Sequence, residues 1–350
     1  MAMLCGNCMK ESQVAPVCEH CGYDNSRKNA DHFLQIGTVL HGRYLLGRVL
    51  DNRGNYVRYV GYDKRNQETV IIRECFVDMN QTADGSPFED RVHRELRIIN
   101  SLQPDGVIIG PYKWFQGYEK LYAVEPFLRG QSLAEKIRIS GKPLQAEHVW
   151  EIMQPVMESL KKLHEFGVFH LNIAPEQILL DEKNNVCLLG CSFASAEDAA
   201  ADKRFSMPIV SQYSPVELLT ARGVIGPWTD VYALCGVIYY CLTGRKPVDC
   251  ANRLVDGWEP DWFTMNELSS SQKSALYRGM EFRPENRQQS MEQFMEDLFG
   301  TPFVREDPFT EEKPEPLGGV PVHWHPAGAM VYDPPVKPAG WKKWFQKKRK

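Results

Sequence analysis

The run WTDVYALCGVIYYCLTG (228–244) constrains this chain more than any other stretch. After Asp230 it is almost wholly apolar, yet it falls short of the roughly 18 apolar residues that a membrane span needs. A helix with no polar face must be covered on most sides. The chain therefore has to build a large domain around this segment, and 350 residues, 43% of them hydrophobic, suffice for that. The net charge of -4 gives no global reason to expect nucleic-acid binding. The start, MAMLCGNC, lacks the basic-then-apolar pattern of a secretion signal, so the expected location is cytoplasmic.

Four regions separate by composition: a Cys-rich segment (1–24), a polar linker (25–35), a large region (36–300) and a Pro-rich, then basic, tail (301–350). The large region begins with short β-branched and aromatic runs: RYLLGRVL, YVRYVGYD, ETVIIREC, GPYKWFQGY and KLYAVEPF. Turn residues divide them, so they read as strands. FEDRVHRELRIINSL has helical spacing at Val92, Leu96 and Ile99. After residue 132 helical patterns dominate, from HVWEIMQPVMESLKKLHEFG, with Gly167 as its stop, to SMEQFMEDLFG, with Ser290 as an N-cap. A β-rich part followed by a helical part predicts a two-lobed α+β plan.

Two CxxC pairs, Cys5–Cys8 and Cys18–Cys21, stand nine residues apart. Each pair sets two sulfurs on one tight turn, and two pairs supply the four thiolates of a tetrahedral structural zinc site. A segment this short has too little core to fold without metal. The pattern resembles the short zinc ribbons of bacterial proteins. His20, between the ligands, is expected to be a bystander. The other six cysteines read as small buried hydrophobes.

At HLNIAPEQILL (170–180) the chain resembles the catalytic loop of eukaryotic-like Ser/Thr protein kinases, H-R-D-x-K-P-x-N. The likeness covers roughly residues 40–299, with motifs in the family's order, and is nearest to bacterial members. It implies a protein-kinase-like fold. By resemblance, His170, Asp230, Glu217 and Arg287 hold that fold: Asp230 ties down the catalytic loop and Glu217 pairs with Arg287. VIIR (70–73) stands at the ATP-pairing lysine strand, and Glu95 at the position of its helix glutamate.

Several family positions are changed. The proton-accepting aspartate aligns with Asn172, the loop lysine with Ala174, the metal-binding asparagine with Gln177, and the D-F-G aspartate with Gly190. Phosphoryl transfer rests on positioning and charge stabilisation by such groups. In the Gly-rich loop, Asp51, Arg53 and Tyr56 stand at the three glycine positions, where backbone N–H groups approach phosphate. Ile71 replaces a small residue over the adenine opposite Leu179, Glu125 occupies the back wall, and Arg73 replaces the lysine. These changes imply a catalytically inactive pseudokinase, not an enzyme, with no ATP/Mg2+, in which Arg73, Glu95 and Glu125 form a charge cluster in the nucleotide's place. The expected role is a protein-binding signalling scaffold. The alternatives are an ATP-binding protein with residual Ser/Thr kinase activity, and a zinc-ribbon nucleic-acid binder.

In the activation segment (190–217) Ser206, Ser211 and Ser214 are candidate phosphorylation sites. Leu171 replaces the arginine that reads such a phosphate, which argues against that switch. In the tail, Trp341, Trp344 and Phe345 lie at helical spacing among lysines, a pattern suited to an anionic membrane surface or an acidic partner. That would place the protein at the inner face of a membrane, and a span could follow if the chain is a fragment of a membrane-anchored protein. His323 and His325 make a weak metal pair.

Overall fold

The computed structural model describes residues 3–12, 16–52, 56–75, 94, 97–98, 101–102, 106–118, 120–191, 194–195, 212–220, 223–262, 265–300, 323–324 and 330–331. It divides into two units, residues 1–302 and 303–350. The second unit shows a two-residue antiparallel ladder, His323–Trp324 with Met330–Val331. His325, Trp341, Trp344 and Phe345 lie outside the described residues.

The first unit opens with a small ladder, β1 (Met3–Leu4) against β2 (Glu11–Ser12). Six antiparallel strands follow: β3 (Val39–Leu40), β4 (Tyr44–Asn52), β5 (Tyr56–Asp63), β6 (Glu68–Cys75), β7 (Lys113–Gly117) and β8 (Lys120–Pro126). Their order in the sheet is β3-β4-β5-β6-β8-β7. Strand alternation sorts their side chains between two faces. One face carries Tyr44, Leu46, Val57, Tyr59, Val70, Ile72, Phe115, Tyr122 and Val124, which form an apolar cluster. Here Phe115 stacks between Tyr44 and Tyr122, with ring centroids 5.2 and 5.3 Å away. The same face buries Glu74, whose carboxylate accepts from Tyr59 Oη at 2.6 Å and Lys120 Nζ at 2.7 Å. The pairings Arg58↔Arg73 and Ile71↔Glu125 put the other set on the opposite face.

Beyond β9 (Gly130–Ser132) the chain is mostly helical: α1 (Leu133–Ser140), α2 (Ala146–Glu165), the strands β10 (Val168–Phe169), β11 (Ile178–Asp181), β12 (Val186–Leu188) and β13 (Ala194–Ser195), then α3 (Val216–Leu219), α4 (Pro227–Thr243), α5 (Cys250–Asp256), α6 (Ser270–Gly279) and α7 (Met291–Phe299). Local chemistry sets these boundaries. The Ser132 side chain accepts from Glu135 N and the Ser290 side chain from Gln293 N, satisfying N–H groups that the first turn leaves orphaned. Gly141, Gly167 and Gly244 follow α1, α2 and α4 at φ 63°, 69° and 69°, a conformation that costs other residues more. Every residue from Pro227 to Cys241 is buried, so α4 is the covered axis its sequence demands. The helix expected at 88–102 falls mostly outside the described residues, and of those described there Ile98 and Leu102 are buried. This β-rich lobe followed by a helical lobe is the protein-kinase-like α+β fold.

Candidate active site and metal centre

Asp230, in the first turn of α4, organises the loop after β10. It is fully buried, and its carboxylate accepts from His170 N and Leu171 N, both at 2.8 Å. His164 Nε2, at the end of α2, lies 2.8 Å from the same carboxylate. Burial alone would raise the Asp230 carboxyl, but the bonds and fields of His164 and His170 outweigh it and hold the carboxyl below its ordinary value. Burial pushes the His170 imidazole down to about 4, against the field of Asp230. His170 is therefore neutral at pH 7, and its Nδ1 accepts from Asn172 N at 3.3 Å.

This arrangement has a pH consequence. Below the ordinary imidazole value of 6.5 an unfolded His170 takes up a proton, while the folded protein resists until about 4. The unfolded state then binds more protons, so stability is full above 6.5 and falls towards pH 4. The expected loss is a few kcal/mol. Urea unfolding at pH 7, 6 and 5 should show it. His170→Gln, which keeps an acceptor for Asn172 N, should flatten this acid limb; an equally steep limb in that variant would assign it elsewhere.

At the centre of the site Asn172 and Gln177 converge on Gly190. Asn172 Nδ2 donates to Gly190 O at 3.0 Å. A Cβ on Gly190 would stand 2.8 Å from both Asn172 Nδ2 and Gln177 Oε1, and the residue has φ 74°. Both amide side chains are 2% exposed or less, and Asn172 Oδ1, Gln177 Oε1 and Gln177 Nε2 have no hydrogen-bond partner among the described residues. Ala174 packs into the helical core. Gly190→Asp by itself should therefore cost about 1–3 kcal/mol through overpacking and the strained φ, read as a lowered melting temperature. Adding Gln177→Asn, one methylene shorter, should recover part of that loss. Full stability of the single variant would show that the amides move aside freely.

The second set of candidate residues lies on the charged face of the sheet. Arg73 Nε sits 3.0 Å from Glu125 Oε1, and its guanidinium lies 5.2 Å from the Trp114 ring and 5.7 Å from the Tyr56 ring. Arg58, also on this face, grips Asp51 with two nitrogens, Nε approaching Oδ1 at 3.0 Å. Desolvation disfavours the Arg58 charge, but Asp51 and Glu125 outweigh it and hold the guanidinium above its ordinary value. Tyr56 is buried with Cys75 and Leu121 beside Trp114, while Ile71 and Leu179 are half-buried. Arg53 and Glu95 fall outside the described residues. Two holding groups were missed in the sequence, His164 and Arg58. Period-two alternation from Tyr56 was the signal available for Arg58; only the fold brings His164 to Asp230.

Glu217, in α3, and Arg287, just before α7, form a buried fork, with Nη1–Oε1 2.7 Å and Nη2–Oε2 3.2 Å. Thr229 Oγ1 also donates to Glu217 Oε1 at 3.0 Å. That fork ends one residue from Asp230, so the activation segment and the catalytic loop are pinned to the same helix.

At the N-terminus the two CxxC turns repeat one geometry. Cys5 O accepts from Met9 N, and Cys18 O accepts from Gly22 N, where φ is 53° and 69° respectively. All four sulfurs lie within 4.8 Å of one another, with Cys5–Cys21 at 3.7 Å and Cys8–Cys18 at 3.8 Å. Four thiolates at about 2.3 Å from one zinc ion would be about 3.8 Å apart, so the donor set fits that ion. Asn7 adds N–H···S contacts to Cys5 and Cys21. His20 is turned away, its Nε2 2.9 Å from Glu11 O.

Residues 54–300 match the protein kinase domain family, and the chain belongs to that family. It is 27% identical over 262 residues to CBL-interacting protein kinase 1 of Oryza sativa subsp. japonica, covering 71% of this chain and 54% of that protein. It is 26% identical over 214 residues to the serine/threonine-protein kinase PrkC of Bacillus subtilis, covering 61% of this chain and 32% of that one. Thus the chain spans about half the length of the rice kinase and a third of PrkC. Among solved structures it resembles "PpkA-294 apo form", with TM-score 0.54 and 19% identity over 76% of this chain and 99% of that one. These findings correct one expectation. The altered positions suggested a protein that is not an enzyme, whereas the family and its named Ser/Thr kinases point to an enzyme.

The family's usual cofactor is ATP with Mg2+. At the described centre, the orphaned amide atoms of Asn172 and Gln177 suit hydrogen bonding to a polar ligand. They do not suit a divalent ion held by carboxylates, since Gly190 has no side chain and Asn172 no charge. No helix among the described residues is long and apolar enough to cross a membrane.

Proposed function

We propose that this chain is an atypical Ser/Thr protein kinase that binds nucleotide in the cleft and retains slow phosphoryl transfer. The observation that carries this reading is the cluster of buried amide atoms around Gly190 that have no partner among the described residues. Buried polar groups are nearly always paired, and a cleft kept only as scaffold gains nothing from leaving them open. A polar ligand entering the cleft would satisfy them. Asn172 can orient a substrate hydroxyl but cannot take its proton, which accounts for slow turnover. Arg73 supplies positive charge on the opposite face of the sheet from the apolar cluster, tempered by Glu125. Zinc at the four cysteines belongs to the same proposal, as a structural ion. So do a protein partner for the kinase body and an anionic surface for the basic tail.

Thermal shift with ATP, with and without Mg2+ or Mn2+, together with transfer of labelled phosphate to a generic basic peptide, tests the reading. A rise in melting temperature with ATP and slow labelling are expected. No shift and no labelling at millimolar ATP would overturn it.

A further inference from the structure

The cysteine knuckle is hydrogen-bonded to β4, the strand that leads to Asp51. Gly6 O accepts from Arg48 N at 2.7 Å, and Arg48 Nε donates to Asn7 Oδ1 at 2.5 Å. Gly6 and Asn7 lie between the ligands Cys5 and Cys8, so these bonds reach the interior of one metal turn. The approach is too close for any side chain at position 47. A Cβ there would stand 2.3 Å from Gly6 O and 2.3 Å from Met9 Cε.

At this point β4 departs from regular pairing with β5. Its register shifts between Leu46 and Val49 and again between Val49 and Asp51. The ladder groups freed there are taken up by Asn29, a buried side chain of the 25–35 segment. Asn29 Nδ2 donates to Gly47 O at 3.1 Å, and its Oδ1 accepts from Val49 N at 3.0 Å. Asn25, from the same segment, accepts from Gly6 N at 3.3 Å. Knuckle, segment and strand thus form one hydrogen-bonded block. Arg48 stands three residues before Asp51, the first of the altered glycine positions, and Asp51 is gripped by Arg58 across the strand pair.

We propose that the metal-loaded knuckle is a positioning element for the nucleotide site, fixing the bulged stretch 46–51 and thereby the placement of Asp51. Bulges re-aim a strand and are held by their surroundings. Here the surroundings include a turn that metal would fold. Gly47 and Arg48 are the positioning residues, and neither is a metal ligand. That the positioned site binds nucleotide rests on the function proposed above; the mechanical coupling does not.

The test is hydrogen exchange by mass spectrometry on the full chain. Three samples are compared: zinc-loaded protein, protein stripped with a chelator, and zinc-loaded Arg48→Ala. Stripping should accelerate exchange at 46–52 by tenfold or more, while peptides of α4 stay unchanged. Arg48→Ala should accelerate the same peptides several-fold while zinc content, read by atomic absorption, remains one per chain. Arg48→Ala is used because any side chain at position 47 would collide with Gly6 O and Met9 Cε. Unchanged exchange at 46–52 after stripping would overturn the inference, as would acceleration spread evenly through α4. ATP thermal shift on the same samples separates the two readings. No shift in loaded protein sinks nucleotide binding alone, whereas equal shifts in loaded and stripped protein sink the positioning role.

Discussion

Arg287→Ala lowers the unfolding free energy by about 3–5 kcal/mol, the range for removing one partner of a buried ion pair. The reason lies in how completely the guanidinium is used. Its Nε donates to Glu281 O, Nη1 to Glu217 Oε1 and Trp228 O, and Nη2 to Glu217 Oε2 and Phe282 O. Five N–H groups thus meet five acceptors, with the cation 4.7 Å from the Tyr232 ring. Alanine leaves the Glu217 carboxylate buried with only Thr229 as a remaining described donor. Lysine supplies charge without the fork, so Arg287→Lys should restore less than half of the loss. Replacing both Arg287 and Glu217 by apolar residues should cost less than Arg287→Ala. Urea midpoints measure all three, and a midpoint for Arg287→Ala within error of the parent would show that the fork is dispensable.

Asn172→Asp should raise the rate of phosphate transfer by about 100-fold, the lower end of what a positioned general base supplies. The backbone needed for it is in place. Asp230 holds His170 N and Leu171 N, and His170 Nδ1 receives Asn172 N. Only the proton acceptor is missing at that position. The gain is set at the low end because Gly190 and Ala174 still withhold a metal ligand and a cation. A cost accompanies it: Asn172 Nδ2 no longer donates to Gly190 O, and a carboxylate faces that carbonyl instead. The variant should therefore be less stable by about 1–3 kcal/mol. Labelled-phosphate transfer by a variant shown to be folded reads the outcome. An unchanged rate would place the limit at the missing carboxylate of position 190 rather than at the base.

Local pattern made much of this architecture legible. YVRYVGYD and ETVIIREC are β5 and β6 residue for residue, because alternation and turn residues act over a few positions. The apolar run around Tyr232 became a buried helix for the same reason. Asp230, Glu217 and Arg287 could be assigned partners only through a family likeness, since nothing local links residues 217 and 287. Distance along the chain also hid Asn29. Composition placed it in a polar linker, but its amide bridges two positions of a bulged strand. The enzyme question misled for another reason. Substituted residues show which charges are gone, whereas the family match over residues 54–300 is what points to an enzyme.

The division of the sheet into two unlike faces has a consequence for folding. Sliding β6 by one residue against β5 and β8 would carry Arg73 into the cluster of Tyr59, Tyr122 and Phe115, and turn Ile72 towards the cleft. It would also carry Glu74 over with Ile72, away from Tyr59 and Lys120, ending the hydrogen bonds its carboxylate accepts. Each misplaced charge costs several kcal/mol, so slipped pairings carry a penalty on both faces at once. The charges that line the cleft thus proofread the alignment of the strands that carry them.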